Sequence, residues 1–239
     1  SEAVELLRQF KGFSYFTEMS DIINRLEDHV ASARMKTTPV IDFEKNESLK
    51  GLDYLDTIYH AIVNEHPIQL KYRSFKARSA NSFIFYPYLL KEYRNRWFVY
   101  GVRGNGRILQ NLALDRIQSL EVLPQEHYIK NTFFDPNTFF DDLVGVTKNS
   151  GSVAEKIGFK VAAAEAPYII TKPIHRSQQV VERLADGSVI LEIEVVINHE
   201  LERVFFGYAE GIQVLYPKTL VELMGRKLKK AAEQYTHSK

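Results

Sequence analysis

The residues best suited to chemistry lie in one strand-like run, Arg96-Trp97-Phe98-Val99-Tyr100-Gly101-Val102-Arg103. Successive side chains of a strand point to opposite faces, so a cationic residue stands at each end of an otherwise apolar stretch. Guanidinium groups grip phosphate oxygens through paired hydrogen bonds and stack on aromatic rings, and the run therefore predicts an anion-binding surface. In the alternative interpretation, Arg96 and Arg103 are rim residues whose aliphatic stems cover apolar surface.

The segments around this run predict a small β-domain behind one helix. Apolar residues share one face of a helix expected from about Leu52 to Asn64, and from Pro67 onward the period changes to the alternation of strands. The expected strands lie near residues 68–74, 82–92, 95–103, 107–113 and 116–123. An open sheet this short would leave two edges unprotected, so the pattern favours a five-stranded closed barrel.

A second apolar pattern runs through residues 2–35, with Ile22, Ile23, Leu26 and Val30 three or four apart. It predicts helices in residues 1–50, which we interpret as a helical linker and dimerisation segment. Symmetric two-fold pairing is the commonest way to cover such a stripe, so a homodimer is expected.

The second half of the chain follows a different order. Turn-forming and aromatic residues make 125–152 a connector, and residues 153–239 predict the order β-α-β-β-α-β-α with a hairpin turn at Asp186-Gly187. The strands are expected near 156–163, 177–184, 188–197 and 211–215, and the helices near 164–171, 199–209 and 218–235. This order is typical of a ferredoxin-like α/β sandwich, so the fold class is α+β.

Composition narrows the classes of function. Thirty-one basic residues against 30 acidic ones give a net charge of +1, so an anion site must be a local patch. The chain has no cysteine, and it lacks a P-loop, a G-x-S-x-G run and an H-E-x-x-H run. We expect a cytoplasmic protein that is not an enzyme and uses no metal or cofactor.

Two motifs carry a resemblance to a known family. Arg96-Trp97-Phe98-Val99, with Leu114-Asp115-Arg116-Ile117 after it, resembles the core of the WYL domain of bacterial transcription regulators. The Trp-Tyr-Leu tripeptide that names the domain appears here as Trp97-Phe98-Val99. Residues 173–178 and 214–220 resemble the extension that often follows the domain. The resemblance covers about residues 50–235 and implies an Sm-like barrel at 51–124 and an extension domain at 153–239.

The resemblance also implies a ligand site for an anion, either a nucleotide or single-stranded nucleic acid. Arg96 occupies the position of the family's typical arginine, and Asn111 stands where members often carry another. Arg116 has an alternative role, since an ion pair with Asp115 could simply fix a turn. The expected ligand-binding residues are Tyr72, Ser74, Tyr88, Arg96, Arg103, Asn111, Arg116 and His175.

The expected function is ligand sensing and dimerisation in a transcription regulator whose winged helix-turn-helix head, outside these residues, reads duplex DNA. Two alternatives remain open. One is an Sm-like nucleic-acid-binding module that does not act as a promoter-specific regulator, and the other is a hydrolase or transferase with an unrecognised site. A helix-turn-helix encoded upstream of Ser1 would favour the regulator over the Sm-like module.

Overall fold

The computed structural model describes residues 50–104, 106 and 108–236, and the chain divides into two units between Phe133 and Phe134. The predicted linker helices and the apolar stripe at residues 22–30 lie outside the described residues.

The first unit begins with a short 3-10 turn, Leu52–Tyr54, that leads into helix α1, Leu55–Val63. Leu55, Ile58 and Ala61 are buried, three residues apart, so they form the stripe that packs against the sheet. The helix predicted from Leu52 to Asn64 is therefore confirmed.

Five strands follow: β1 (Ile68–Tyr72), β2 (Asn81–Tyr93), β3 (Arg96–Arg103), β4 (Leu109–Ala113) and β5 (Ile117–Val122). They form one sheet in the order β4-β3-β2-β1-β5, and all neighbours are antiparallel. The alternation seen in the sequence thus predicted the number and position of the strands correctly.

The predicted closure into a barrel is wrong, because among the described residues β4 and β5 pair with one neighbour each and form the two edges of an open sheet. The Sm-like assignment stays a prediction. Helix α1 packs on one face, and residues 124–133 return over β2, where the Tyr128 hydroxyl donates to the carbonyl of Pro87. The edge strands are short, which limits the unpaired backbone that they expose.

The centre of β2 carries a bulge between Pro87 and Leu89. Tyr88, at the bulge, is 8% exposed and stacks on Phe133 with ring centroids 6.0 Å apart. The ring of Tyr128 contacts the Tyr88 ring edge-on, with centroids 6.1 Å apart. The start of the predicted connector is therefore anchored to the first unit by aromatic packing.

The described part of the second unit has four strands and three α-helices: β6 (Glu155–Val161), α2 (Ala166–Thr171), β7 (Gln179–Arg183), β8 (Val189–Val195), α3 (His199–Phe206), β9 (Ile212–Tyr216) and α4 (Lys218–Thr236). A short 3-10 helix, Ala209–Gly211, precedes β9. The element order β-α-β-β-α-β-α is the predicted one. The four strands form an antiparallel sheet in the order β7-β8-β6-β9, and its core is formed by residues such as Phe159, Leu191 and Phe205.

Asn198 is buried and caps α3: its side-chain oxygen accepts from the backbone N–H of Leu201 at 2.8 Å, and its amide donates to the carbonyls of Val144 and Thr147. Strand β7 lies at one edge of the sheet, all five of its residues are exposed, and its pairing with β8 shifts register between Val180 and Glu182.

Candidate anion-binding site

A groove with a volume of about 310 Å³ opens in the first unit, where β1 ends and β5 begins. We call it the arginine groove. Its lining residues are Arg73, Ser74, Phe75, Asp115, Arg116, Ile117 and Gln118. Ser74 and Arg116, two of the residues predicted from the sequence, therefore line the same groove.

Asp115 connects the groove to the signature strand. One of its carboxylate oxygens, Oδ2, lies 3.2 Å from Nε of Arg96, and the other, Oδ1, lies 3.9 Å from Nε of Arg116. The Asp115 side chain is only 11% exposed, whereas Arg96 is 45% and Arg116 28% exposed. Two guanidinium groups thus share one nearly buried carboxylate, and both remain accessible from solvent.

The two atoms of the 3.9 Å contact between Asp115 and Arg116 make no hydrogen bond. Oδ1 of Asp115 and Nε of Arg116 are both buried, and neither has a hydrogen-bond partner among the described residues. A separation of 3.9 Å is too long for a hydrogen bond, so only ionic attraction connects these two atoms. The Arg116 guanidinium therefore has one buried N–H group that no described residue satisfies.

An aromatic ring lies at the rim of the groove. The guanidinium carbon of Arg116 is 4.6 Å from the ring centroid of Phe75, which is 73% exposed. A cation over a ring face is attracted by the ring's quadrupole, and this contact orients the guanidinium. The exposed ring and the adjacent cation together offer a surface for stacking and a charge for a phosphate.

Tyr72 lies beside Arg116 at the end of β1. Burial raises the pKa of its hydroxyl, and the charge of Arg116 together with hydrogen bonds to the backbone of Ala113 and to Arg116 acts in the opposite direction. The hydroxyl therefore stays protonated at neutral pH and helps to hold the Arg116 side chain.

A 3-10 turn, Leu114–Arg116, presents Asp115 and Arg116 between β4 and β5. The N–H of Arg73 donates to the carbonyl of Arg116 at 3.1 Å, which extends the pairing of β1 and β5 into the groove. Gly51 packs directly against this turn with φ +85°, and a Cβ there would lie 2.3 Å from the carbonyl carbon of Leu114. Only glycine allows α1 to begin so close to the turn.

The charges around the groove do not cancel. Arg73, Arg96 and Arg116 supply three positive charges and Asp115 one negative charge, which leaves two positive charges in a protein whose net charge is +1. A local surplus of this kind can hold an anion even where the whole molecule exerts little field.

Three residues predicted for the site lie elsewhere in the first unit. Tyr88 is buried in the aromatic cluster described above, its hydroxyl has no hydrogen-bond partner among the described residues, and burial raises its pKa to about 12. Arg103 is at the opposite end of β3 from Arg96, about 23 Å away by strand rise, with its guanidinium 3.9 Å from the ring centroid of Phe83. Asn111 pairs with Tyr100 across β3 and β4.

His175 belongs to the second unit. Its Nδ1 lies 2.7 Å from the Ser177 hydroxyl, and burial, followed by the charge of Arg176, lowers its pKa. These contacts shape the loop before β7. In the described residues His175 is thus part of a local polar network and does not line the arginine groove.

Arg73, Phe75 and Gln118 were not predicted from the sequence, and Asp115 was predicted only as a partner of Arg116. Arg73 and Phe75 follow directly after β1, where strand alternation ends. A polar-aromatic run at a strand end, facing the start of another strand, is a signal that could have identified them. No group of three potential metal ligands, and no helix long and apolar enough to cross a membrane, occurs in the part of the chain that the structure describes.

Comparison with known proteins identifies both units. Residues 53–122 match the family model of the WYL domain, and residues 154–232 match that of the WCX domain. A search of curated proteins gave no match.

Two solved structures are similar to the chain. Proteasome accessory factor B/C (PafBC) of Arthrobacter aurescens is 16% identical with a TM-score of 0.38, over 97% of this chain and 33% of that one. A structure described as a CRISPR Cas-related protein is 12% identical with a TM-score of 0.46, over 78% of this chain and 52% of that one. The chain thus spans a third of the first structure's length and about half of the second's.

Proposed function

Because the chain is a WYL-domain protein in which a WCX domain follows the WYL domain, we propose that it is the ligand-sensing and dimerisation region of a bacterial transcription regulator. The ligand is an anion, a nucleotide or single-stranded nucleic acid, and it binds in the arginine groove. The observation that carries this proposal is the pair of accessible arginines, Arg96 and Arg116, on one carboxylate beside an exposed ring.

The groove suits a phosphate that carries a base. Planar guanidinium groups bind phosphate oxygens through paired hydrogen bonds, and Arg73, Arg96 and Arg116 provide them from three separate segments. The ring of Phe75 offers a platform on which a base can stack, as aromatic side chains do in proteins that bind single strands. The Ser74 hydroxyl, which also lines the groove, can donate to a phosphate oxygen.

Sensing follows if the ligand binds more tightly to one arrangement of a dimer than to another, since only a difference in affinity shifts the population of two states. The proposal includes a homodimer, an attached head that reads duplex DNA, and a cytoplasmic location, and it assigns the groove no catalytic step.

Light scattering on the chain should return the mass of two copies, and a monomer mass across micromolar concentrations would remove the dimer from the proposal.

The proposal also assigns domains to the two units. The WYL match at residues 53–122 supports a domain at 51–124, and the WCX match at residues 154–232 supports one at 153–239. The strand order β7-β8-β6-β9, with two helices inserted between strands, supports a ferredoxin-like sandwich for the second.

The test is binding of a fluorescently labelled oligothymidylate, followed by anisotropy at several salt concentrations. Arg96→Ala should remove a charge-assisted contact worth roughly 1.5–3 kcal/mol, and so weaken binding about tenfold to a hundredfold. The melting temperature should fall only modestly, because the Arg96 side chain is 45% exposed and Asp115 keeps Arg116 beside it.

Arg183→Ala is the matched control, since Arg183 is an exposed arginine on β7 of the second unit. It should leave the affinity within about twofold, as expected for a screened surface charge. If Arg96→Ala lowered the melting temperature markedly and left the affinity unchanged, Arg96 would be a structural rim residue and the proposed site would be wrong.

A further inference from the structure

We propose that Asp115 sets the minimum charge of the ligand, because it acts as an internal counter-ion that the ligand must replace. This inference rests on the proposed function, and it concerns which anions the arginine groove accepts. Its basis is that the carboxylate lies between the two guanidinium groups of Arg96 and Arg116, so a phosphate that contacts both groups competes with it.

An anion with a single charge gains little free energy when it replaces Asp115 as the partner of the two arginines. Such an anion forms the same ion pairs that Asp115 already forms with Arg96 and Arg116. It also leaves a carboxylate that is only 11% exposed without its cations, and an uncompensated charge in a poorly solvated position is costly. The wild-type groove should therefore bind single charges weakly.

A ligand with several charges gains more than it displaces. The three arginines carry two positive charges beyond what Asp115 neutralises, so a second phosphate finds a cation without a further exchange. Asp115 thereby selects for consecutive phosphates and against isolated monoanions such as chloride or acetate.

One side of the contact between Asp115 and the arginines is weak. The Oδ1 atom of Asp115 is buried without a hydrogen-bond partner among the described residues, as is the Nε atom of Arg116 opposite. This side of the contact is held by attraction over 3.9 Å and by no hydrogen bond. A phosphate oxygen at hydrogen-bond distance from Arg116 would satisfy a donor that Asp115 does not.

The experiment compares two probes on the full chain. One is thymidylyl-thymidine, which carries a single phosphodiester, and the other is a four-nucleotide oligothymidylate without terminal phosphate, which carries three. Binding is followed by the fluorescence of Trp97, which is the only tryptophan and lies next to Arg96. The variants are Asp115→Asn and Asp115→Ser, and Glu121→Gln is the matched control, since it removes an exposed carboxylate from β5.

Both Asp115 variants should bind the single phosphodiester about tenfold more tightly than wild type, as expected for removal of one charge at close range. The longer probe should gain only about threefold, because its additional charges already offset the exchange with Asp115. Glu121→Gln should change neither affinity by more than about twofold.

The outcomes separate this inference from the proposed function. Weaker binding of both probes would mean that Asp115 positions Arg96, and an equal gain for both would mean that it contributes only a general field; either result overturns the inference while the anion site stands. Failure of both variants to fold would make Asp115 a structural residue of its turn. If wild-type protein binds neither probe, the proposed function itself fails.

Discussion

The two units differ in how many cations contact each carboxylate of the ion pairs compared below. In the second unit the close pairs join one cation to one carboxylate: Arg176 lies 2.7 Å from Asp141, and Lys148 lies 2.7 Å from Asp142. In the first unit Asp115 is shared by Arg96 and Arg116. A matched pair leaves no charge for a ligand, whereas a shared carboxylate leaves a cation in surplus. The proportion of charges thus distinguishes a surface with a cation in surplus from one whose charges are matched.

The largest effect should come from Gly51, which allows the turn with the shared carboxylate to pack on α1. Gly51→Ala places a Cβ 2.3 Å from the carbonyl carbon of Leu114 and at φ +85°, so it should cost about 3 kcal/mol of unfolding free energy. Urea denaturation followed by Trp97 fluorescence measures this. Gly104→Ala is the control: φ is +53° but the space is open, so a cost near 1 kcal/mol is expected. Equal costs would show that the turn tolerates displacement.

A substitution in the second unit should lower its stability and leave ligand affinity unchanged. Asn198→Ala removes the cap of α3 and leaves the carbonyls of Val144 and Thr147 without their amide donor, so the second unit should lose about 2 kcal/mol. Calorimetry measures the loss, and oligothymidylate affinity should stay unchanged at a temperature where the variant is folded. A large loss of affinity would contradict the division of labour between the units.

A smaller loss of affinity should distinguish the contribution of stacking from that of charge in the arginine groove. Phe75→Ala should weaken oligothymidylate binding by about 1–2 kcal/mol, since an aromatic platform contributes that much for a stacked base. Pyrophosphate has no base, so its affinity should fall much less, through the loss of the ring that orients Arg116. Tyr168→Ala, which removes an exposed ring from α2 of the second unit, is the control and should affect neither ligand. Equal weakening of both ligands would mean that Phe75 acts only by orienting Arg116.

The smallest effect is a pH dependence in the second unit. The pKa of His175 is lowered in the folded state, chiefly by burial, so the unfolded chain binds more protons between that value and about 6.5. This contribution to stability is therefore present above pH 6.5 and is lost as the pH falls toward the folded pKa. Thermal melting between pH 5 and 8 should show the decline, and His175→Gln should reduce it. An unchanged pH dependence in that variant would assign the decline to other groups.

Much of the fold was predictable because local patterns determine it. The alternation after Pro67 identified the five strands, and Asp186-Gly187 marked the hairpin between β7 and β8. Closure of the first sheet was not predictable in this way. It depends on whether β4 and β5 meet, which is set by strand twist and by what covers the faces, and here Tyr128 and Phe133 cover β2 from a distant segment.

The candidate site was predictable only in part. Arg96 and Arg116 were identified by type and by resemblance, and they do meet, but they meet through Asp115 rather than on one strand face. Strand alternation could not locate Tyr88, since a bulge beside it interrupts the pairing on which alternation relies. Phe75 lies beyond the end of β1, where periodicity carries no information.

Strand β7 has a consequence for how the protein avoids aggregation. An outer strand with exposed valines, Val180 at 42% and Val181 at 57%, is a template to which a strand of another chain can add. The register shift between Val180 and Glu182 interrupts the regular spacing of backbone donors and acceptors along that strand. Glu182 and Arg183 place charges directly after it. We therefore expect the irregularity to disfavour edge-to-edge addition of strands, and deletion of Val181, which would straighten β7, to increase aggregation.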